Sequence, residues 1–257
     1  MVFKHAPQMH MRSASSIFAD APVLIMNVLT LRPSAIVAAL AMGAGLVLFG
    51  QELGIFFFGV MFWFVLLSAA VTVAGKRFKQ NAGLYEKSRG VRNVLANGIW
   101  PLAMSALFYA ALIGGHTHYE LVALLGFVSA VAAVTADTFS SEVGVLDGQP
   151  VMLLNMKKVQ KGVSGGVTWL GLAAGLAGSI LITLMMLAVL PEMHLLGLSN
   201  APGAFAVVVL GGFAGTIVDS VLGYFEEKGI GNKYTSNLFG SIGGSLVCLA
   251  AAVAIGI

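Results

Sequence analysis

Seven long apolar runs constrain this chain more than any other feature of its sequence. They cover approximately residues 34–51, 54–75, 97–115, 120–136, 166–190, 203–224 and 237–256. A run of about 20 apolar residues crosses the hydrocarbon core of a bilayer as an α-helix. Only 10% of the residues are charged, against roughly 25% in soluble domains. The sequence therefore predicts an all-α, polytopic bundle of about seven transmembrane helices, since a transmembrane β-barrel shows short alternating segments instead.

The first part of the chain does not fit this pattern. Residues 1–33 are interpreted as an N-terminal tail or interfacial segment, and residues 34–257 as the transmembrane domain. The apolar stretch near 17–31 contains Asp20 and Pro22 and is short for a span. An interfacial helix and a spanning helix therefore both stay open for this stretch.

The basic residues predict the orientation of the bundle, because cytoplasmic loops of membrane proteins carry the excess of Lys and Arg. With the N-terminus inside, all 14 Lys and Arg fall in the tail and in loops 76–96, 137–165 and 225–236. The opposite side keeps acidic residues and histidines, such as Glu120 and His194. We expect a multi-pass protein of the cell or plasma membrane with a cytoplasmic N-terminus and an external C-terminus.

Three carboxylates stand at the cytoplasmic ends of the apolar runs. Asp137 and Glu142 end the fourth run, and Asp219 ends the sixth. Ionisable groups at a membrane edge are costly and usually functional, and Mg²⁺ binds carboxylates together with substrate phosphates. We predict that all three are metal ligands. On a straight helix Glu142 lies off the Asp137 face, so this site requires the helix to break near Ser140. The alternatives are a helix cap with a solvated carboxylate, and an interhelical hydrogen bond for Asp219.

A loop rich in lysine and glycine separates the two acidic segments. Backbone N–H groups in glycine-rich loops and at helix N-termini bind anions, so the loop is interpreted as a phosphate cradle, although it is not a Walker A motif. The alternative is a topology-setting loop with packing glycines. Asn97 and Asn237 open the third and seventh runs and are expected to orient phosphates, or simply to cap helices. The candidate substrate- and phosphate-binding residues are Arg92, Lys157, Lys158, Lys161, Gly162, Ser164, Gly165, Gly166, Ser141, Ser220 and Asn237.

Five segments occur in an order that resembles a known family. They are residues 92–98, 135–144 (TADTFSSEVG), 162–168, 215–223 (GTIVDSVLG) and 237–241. Together they resemble the integral-membrane family that includes the phytyl-phosphate kinase of vitamin E synthesis and eukaryotic transmembrane protein 19. The resemblance covers roughly residues 34–257. That family typically carries Gly-Thr-Asp/Asn-Gly-Gly-Val-Ser in the glycine loop, where this chain has Val163 and Ser164 at the second and third places.

The resemblance implies phosphoryl transfer from a nucleoside triphosphate, commonly CTP, to a phytyl or polyprenyl monophosphate. Asp137, Glu142, Asp219 and Asn97 are then the expected catalytic residues, and Mg²⁺ is the expected cofactor. The expected partners are the isoprenoid phosphate, the nucleotide and membrane lipids; no nucleic acid is expected, and a homo-oligomer is left open. Two rivals stay open, a cytidylyltransferase that forms a CDP-lipid and a cation-coupled transporter.

Overall fold

The computed structural model describes residues 32–84, 89–146 and 148–257 of the chain. The stretch near 17–31 lies outside these residues. The structure is helical apart from one short strand pair in the glycine-rich loop. Its elements are α1 (Pro33–Gly50), α2 (Gly54–Asn81), α3 (Val91–Ile113), α4 (Thr117–Gly144), β1 (Val151–Met152), β2 (Gly166–Val167), α5 (Trp169–Thr183), α6 (Leu190–Leu195), α7 (Ala201–Glu226) and α8 (Lys233–Ala254).

Six helical segments of the described chain are long and apolar enough to cross a membrane. The first, Pro33–Lys76, contains α1 and most of α2. These helices are joined by a 3₁₀ turn at Gln51–Leu53 and pack back on each other, since a Cβ on Gly43 would lie 3.0 Å from the ring of Phe58. The predicted all-α bundle of about seven spans is therefore confirmed, whereas its orientation stays a prediction.

Helix α4 forms the centre of the bundle. Every residue from 123 to 136 is buried, and α2, α3, α5, α7 and α8 all pack against it. Much of this stretch is alanine, glycine and serine, and small side chains let neighbouring helices approach closely in a membrane. The other spanning helices each expose an apolar face, as expected of helices that border lipid.

The contact between α4 and α7 brings the two acidic segments together. A Cβ on Gly215 would collide with the Cβ of Ala133 and lie 2.7 Å from the carbonyl oxygen of Gly240 on α8. Gly211 and Gly212 meet α4 earlier along both helices, so the two helices run in the same direction. Asp137 and Asp219 each follow four residues after Ala133 and Gly215, which is about one helical turn. The two aspartates therefore share one face of the interface.

The loop after α4 folds back onto the bundle through the antiparallel pair of β1 and β2, in which Val151 pairs with Val167 and Met152 with Gly166. Gly165 has φ +76°, a left-handed conformation that favours glycine. A Cβ there would lie 2.8 Å from the backbone nitrogen of Tyr224. The glycines thus let the loop rest directly on the backbone of α7, at the end where Asp219 lies.

We expect Gly215→Ala to lower the thermal unfolding temperature in detergent. Its methyl group would meet backbone and Cβ atoms that cannot rotate away, and overpacking of this kind costs roughly 1–3 kcal/mol. The matched control is Gly59→Ala on α2, where an added Cβ meets nothing within 4 Å. An unfolding temperature at or above that of the wild type for Gly215→Ala would contradict the predicted α4–α7 contact.

Candidate functional site

A cavity of about 360 Å³ opens at the end of the bundle where α2, α4 and α7 finish and α3 and α8 begin. Most of the residues singled out in the sequence line it, although they come from four helices and a loop. The predicted residues that line the cavity are Asp137, Glu142, Asp219, Asn97, Asn237, Ser141, Ser220, Gly162, Ser164, Gly165 and Gly166.

Asp137 and Asp219 form the acidic centre of the cavity. Both side chains are half-buried, line the same cavity and are close enough to interact electrostatically. Oδ2 of Asp219 is buried and accepts no hydrogen bond from a donor in the described residues. Two carboxylates this close repel each other unless they share a proton or a cation. The pair, with its unpartnered oxygen, fits a hard cation such as Mg²⁺, which protein sites hold through one or two carboxylates plus phosphate oxygens.

The expected helix break at Ser140 is wrong. Helix α4 continues without interruption to Gly144. The hydroxyl of Thr138 donates to the carbonyl oxygen of Val134 (2.8 Å). The hydroxyl of Ser141 donates to the backbone carbonyl oxygen of Thr138 (3.1 Å). Serine and threonine side chains that bond back to their own helix leave its backbone hydrogen bonds in place. The dense hydroxyl cluster is therefore compatible with a continuous helix.

Because the helix is continuous, Glu142 takes a different role from the one expected. Its carboxylate accepts a hydrogen bond from Nζ of Lys79 and lies 3.7 Å from Nη2 of Arg89. In residues 32–84, 89–146 and 148–257 no group of three or more His, Cys, Asp or Glu side chains is arranged to hold a metal. Glu142 is thus not brought together with the two aspartates, and a metal-binding role for Asp137 and Asp219 stays a prediction.

The positive charge of the cavity comes from Lys79, Arg89 and Lys233, none of which is among the candidates above. Lys79 was hidden because α2 extends to Asn81, six residues beyond the predicted end of that span. Once the helix is extended, Thr72 and Lys79 lie seven residues apart, which places them on one helical face. That spacing was the available signal. Arg89 also donates to the hydroxyl of Thr72 at 3.1 Å.

The basic residues that we expected to bind phosphate lie elsewhere. Lys157, Lys158 and Arg92 are exposed, and Lys161 donates to the carbonyl oxygen of Val145 at 2.9 Å. None of these four residues lines the cavity. The strand pair that returns the glycines to α7 carries Lys157 and Lys158 outward, and Lys161 fastens the loop to the end of α4. The structure therefore does not bring these four residues to the cavity, and their role in binding phosphate stays a prediction.

The glycine loop is held by two acidic residues at the end of α7, Glu226 and Glu227, which are not among the candidates above. The backbone nitrogen of Ser164 donates to Glu227 (2.9 Å) and its hydroxyl donates to Glu226 (2.7 Å). Glu226 also accepts a hydrogen bond from Ser236 at the start of α8. Ser164 thus lines the cavity as expected, but its donors fix the position of the loop.

The two asparagines meet across the cavity. Nδ2 of Asn237 donates to Oδ1 of Asn97 at 2.9 Å, and Nδ2 of Asn97 faces Oδ1 of Asn93 at 3.5 Å. Asn97 is buried. The amides therefore join α3 to α8, and both asparagines line the cavity. Their role in orienting phosphate stays a prediction.

Comparison with known proteins identifies relatives of this chain. The family described as "Integral membrane protein DUF92" matches residues 21–242. An uncharacterized membrane protein of Methanocaldococcus jannaschii is 34% identical over 72% of this chain and 71% of its own. Protein PGR of Arabidopsis thaliana is 32% identical over 62% of this chain and 60% of its own. An uncharacterized membrane protein of Synechocystis is 29% identical over 77% and 72%, respectively. No solved structure matches the chain.

We expect Glu142→Gln to destabilise the protein by about 3 kcal/mol, because it leaves the buried cation Lys79 without a counter-charge. The loss is measured as a fall in thermal unfolding temperature in detergent. Glu120→Gln is the matched control, since Glu120 is a buried carboxylate at the other end of the same helix. Equal unfolding temperatures for Glu142→Gln and the wild type would contradict the ion pair.

Proposed function

The chain belongs to the integral membrane protein family DUF92, and we propose that it is a membrane-embedded kinase that uses CTP to phosphorylate a phytyl or polyprenyl monophosphate. The observation that carries the proposal is the composition of the cavity. It combines a pair of aspartates, three cations and a glycine-rich loop at the end of an otherwise apolar bundle. A reaction between two phosphate groups, one of them anchored in the bilayer, requires those components at that depth.

The proposed reaction joins an oxygen of the acceptor's phosphate to the γ-phosphorus of CTP. A new phosphorus–oxygen bond forms as the bond from the γ-phosphorus to the β,γ-bridging oxygen breaks, and CDP departs with the electron pair. The acceptor becomes a diphosphate. A phosphate monoester is already anionic near pH 7, so its oxygen needs no strong general base. The task of the protein is to position two polyanions and compensate their charge.

The chain's residues divide this task. Asp137 and Asp219 would hold Mg²⁺, which when bound neutralises phosphate charge. Lys79, Arg89 and Lys233 direct positive charge into the cavity, where incoming phosphates add negative charge. Glu142 positions the first two of these cations through its ion pairs. The glycines of the loop present backbone within reach of the same space.

The distribution of polar groups along α4 favours this proposal over a cation-coupled transporter. Within the buried stretch 123–136, the polar side chains are Ser129 and Thr135. Ser129 donates to the carbonyl oxygen of Gly244 at 3.0 Å, and Thr135 donates to that of Val131 at 2.7 Å. A transport pathway needs polar groups that face a route across the membrane, whereas these two hydroxyls donate their hydrogen bonds to backbone carbonyl oxygens. The side chains of α4 that line the polar cavity, such as Asp137 and Thr138, begin directly after this stretch.

We expect purified protein in liposomes, given Mg²⁺, labelled CTP and geranylgeranyl phosphate, to form geranylgeranyl diphosphate and CDP. Asp137→Asn and Asp219→Asn should each lower the rate by about 100-fold, the scale of losing a charged group that stabilises the transition state. Chelation of Mg²⁺ should abolish turnover. Glu192→Gln, at the opposite end of the bundle, is the control and should retain full activity.

Each rival predicts a different product in that assay. A CDP-lipid with release of pyrophosphate would replace the kinase with a cytidylyltransferase. Cation movement across the liposome membrane without turnover of CTP would support the transporter. Full kinase activity in Asp219→Asn would contradict the role of the aspartate pair.

The cytoplasmic position of the cavity is part of the proposal, because CTP is a cytoplasmic nucleotide. We expect an impermeant maleimide to label Lys158→Cys only in permeabilised cells and His118→Cys in intact cells. Both positions are exposed. His118 lies at the start of α4, and Lys158 lies in the loop that follows the end of α4. The native Cys248 is buried, so unsubstituted protein is the control. The reverse labelling pattern would place the cavity outside.

A further inference from the structure

A second, apolar cavity adjoins the polar one. It has a volume of about 280 Å³ and lies between α1, α2 and α3; we call it the tail groove. Its walls include Met42 of α1 and Phe58 and Phe62 of α2. The rings of Phe58 and Phe62 stack with centroids 5.9 Å apart. Leu40 and Phe62, on its open side, are 67% and 51% exposed, so the groove opens where membrane-spanning helices face lipid.

The tail groove and the polar cavity share one boundary. Four residues line both spaces, namely Thr72, Arg89, Asn93 and Asn97. Arg89 occupies the junction, where it donates to Thr72 at 3.1 Å and lies 3.7 Å from Glu142. A molecule that lies across this boundary meets a guanidinium and amides at one end and aromatic and aliphatic carbon at the other. The two spaces are therefore complementary to an amphipathic molecule with an anionic head and one apolar chain.

We propose that the tail groove binds the isoprene units next to the phosphate of the acceptor, with the remainder of the chain lying along the lipid-facing side. This inference rests on the proposed function. The phosphate then enters the polar cavity past Arg89, while the chain stays on the bilayer side of the same residue. The groove, rather than the polar cavity, would select an isoprenoid chain over a short water-soluble phosphate.

Ser68 and Ala39 offer substitutions that test the groove. Both line it; Ser68 is buried and its hydroxyl has no hydrogen-bond partner in the described chain. Ser68→Leu fills the groove, whereas Ser68→Ala removes the same hydroxyl without adding volume and so separates the effect of volume from that of the lost hydroxyl. Ala39→Phe fills it from α1, and Val37→Phe is its control, since Val37 is exposed on the same helix and does not line the groove.

The kinetic test compares geranylgeranyl phosphate, with a twenty-carbon chain, and methyl phosphate, a short acceptor that carries no isoprene unit. In the two filling variants we expect KM for the long acceptor to rise by about tenfold or more, with kcat retained. The substitutions remove contacts with the chain that are equally strong in the ground state and the transition state. KM for the short acceptor should change less than twofold, Val37→Phe should match the wild type, and Ser68→Ala should raise KM for the long acceptor less than Ser68→Leu does. An equal rise for both acceptors, or none for the long one, would overturn the assignment.

A binding test separates this inference from the proposed function, because it needs no turnover. Wild-type protein is irradiated with geranylgeranyl phosphate that carries a diazirine on its first isoprene unit, and labelled peptides are mapped by mass spectrometry. We expect labels on α1, α2 and α3, weakened by Ala39→Phe and by unlabelled geranylgeranyl phosphate. Labelling there without any kinase activity would sustain the groove and reject the kinase. Kinase activity with labelling elsewhere would reject the groove alone. Equal competition by dioleoyl phosphatidic acid would assign it to two-chain lipids and overturn the isoprenoid assignment.

Discussion

The close contact between α4 and α7 is the constraint on which the rest of this structure depends. Ala133 and Gly215 bring the two backbones together where larger side chains would collide. One turn later, the same geometry brings Asp137 and Asp219 close together. At a membrane edge, two carboxylates this close are costly unless they share a proton or a cation. The close packing of small residues thus produces a site at which negative charge has to be compensated.

Charge compensation explains the rest of the cavity. Glu142 is buried with Lys79 and Arg89, and buried charges persist only when they are paired and hydrogen-bonded. That cluster places two cations in the wall of the cavity without adding a third carboxylate to the aspartate pair. Arg89 also marks the boundary with the apolar groove. The Arg89 side chain therefore lies near the Glu142 carboxylate and lines both the polar cavity and the apolar groove.

Sequence reasoning located the cavity but assigned some of its members wrongly. Asp137, Asp219, Asn97 and Asn237 could be predicted because a polar residue at the end of an apolar run has few structural uses. Glu142 was misassigned because the hydroxyls around Ser140 were taken for a helix break, whereas they bond within the helix. The position of the loop lysines could not be predicted, because the sequence does not show that the strand pair leaves Lys157 and Lys158 exposed away from the cavity. Lys79 was missed because the apolar run that predicts the span ends before the helix itself ends.

The sequence by itself determined the number of spans, the polar end of the bundle and the two aspartates that lie in the polar cavity. These follow from local physics, since apolar runs must lie in lipid and ionisable groups must lie at its edge. Only the tertiary structure decided which cations face the aspartates, that Glu142 binds Lys79, and that an apolar groove joins the polar cavity at Arg89. Those facts depend on how α2, α3 and α4 are rotated against one another. That rotation is set by side-chain packing between distant segments, which no single run of residues contains.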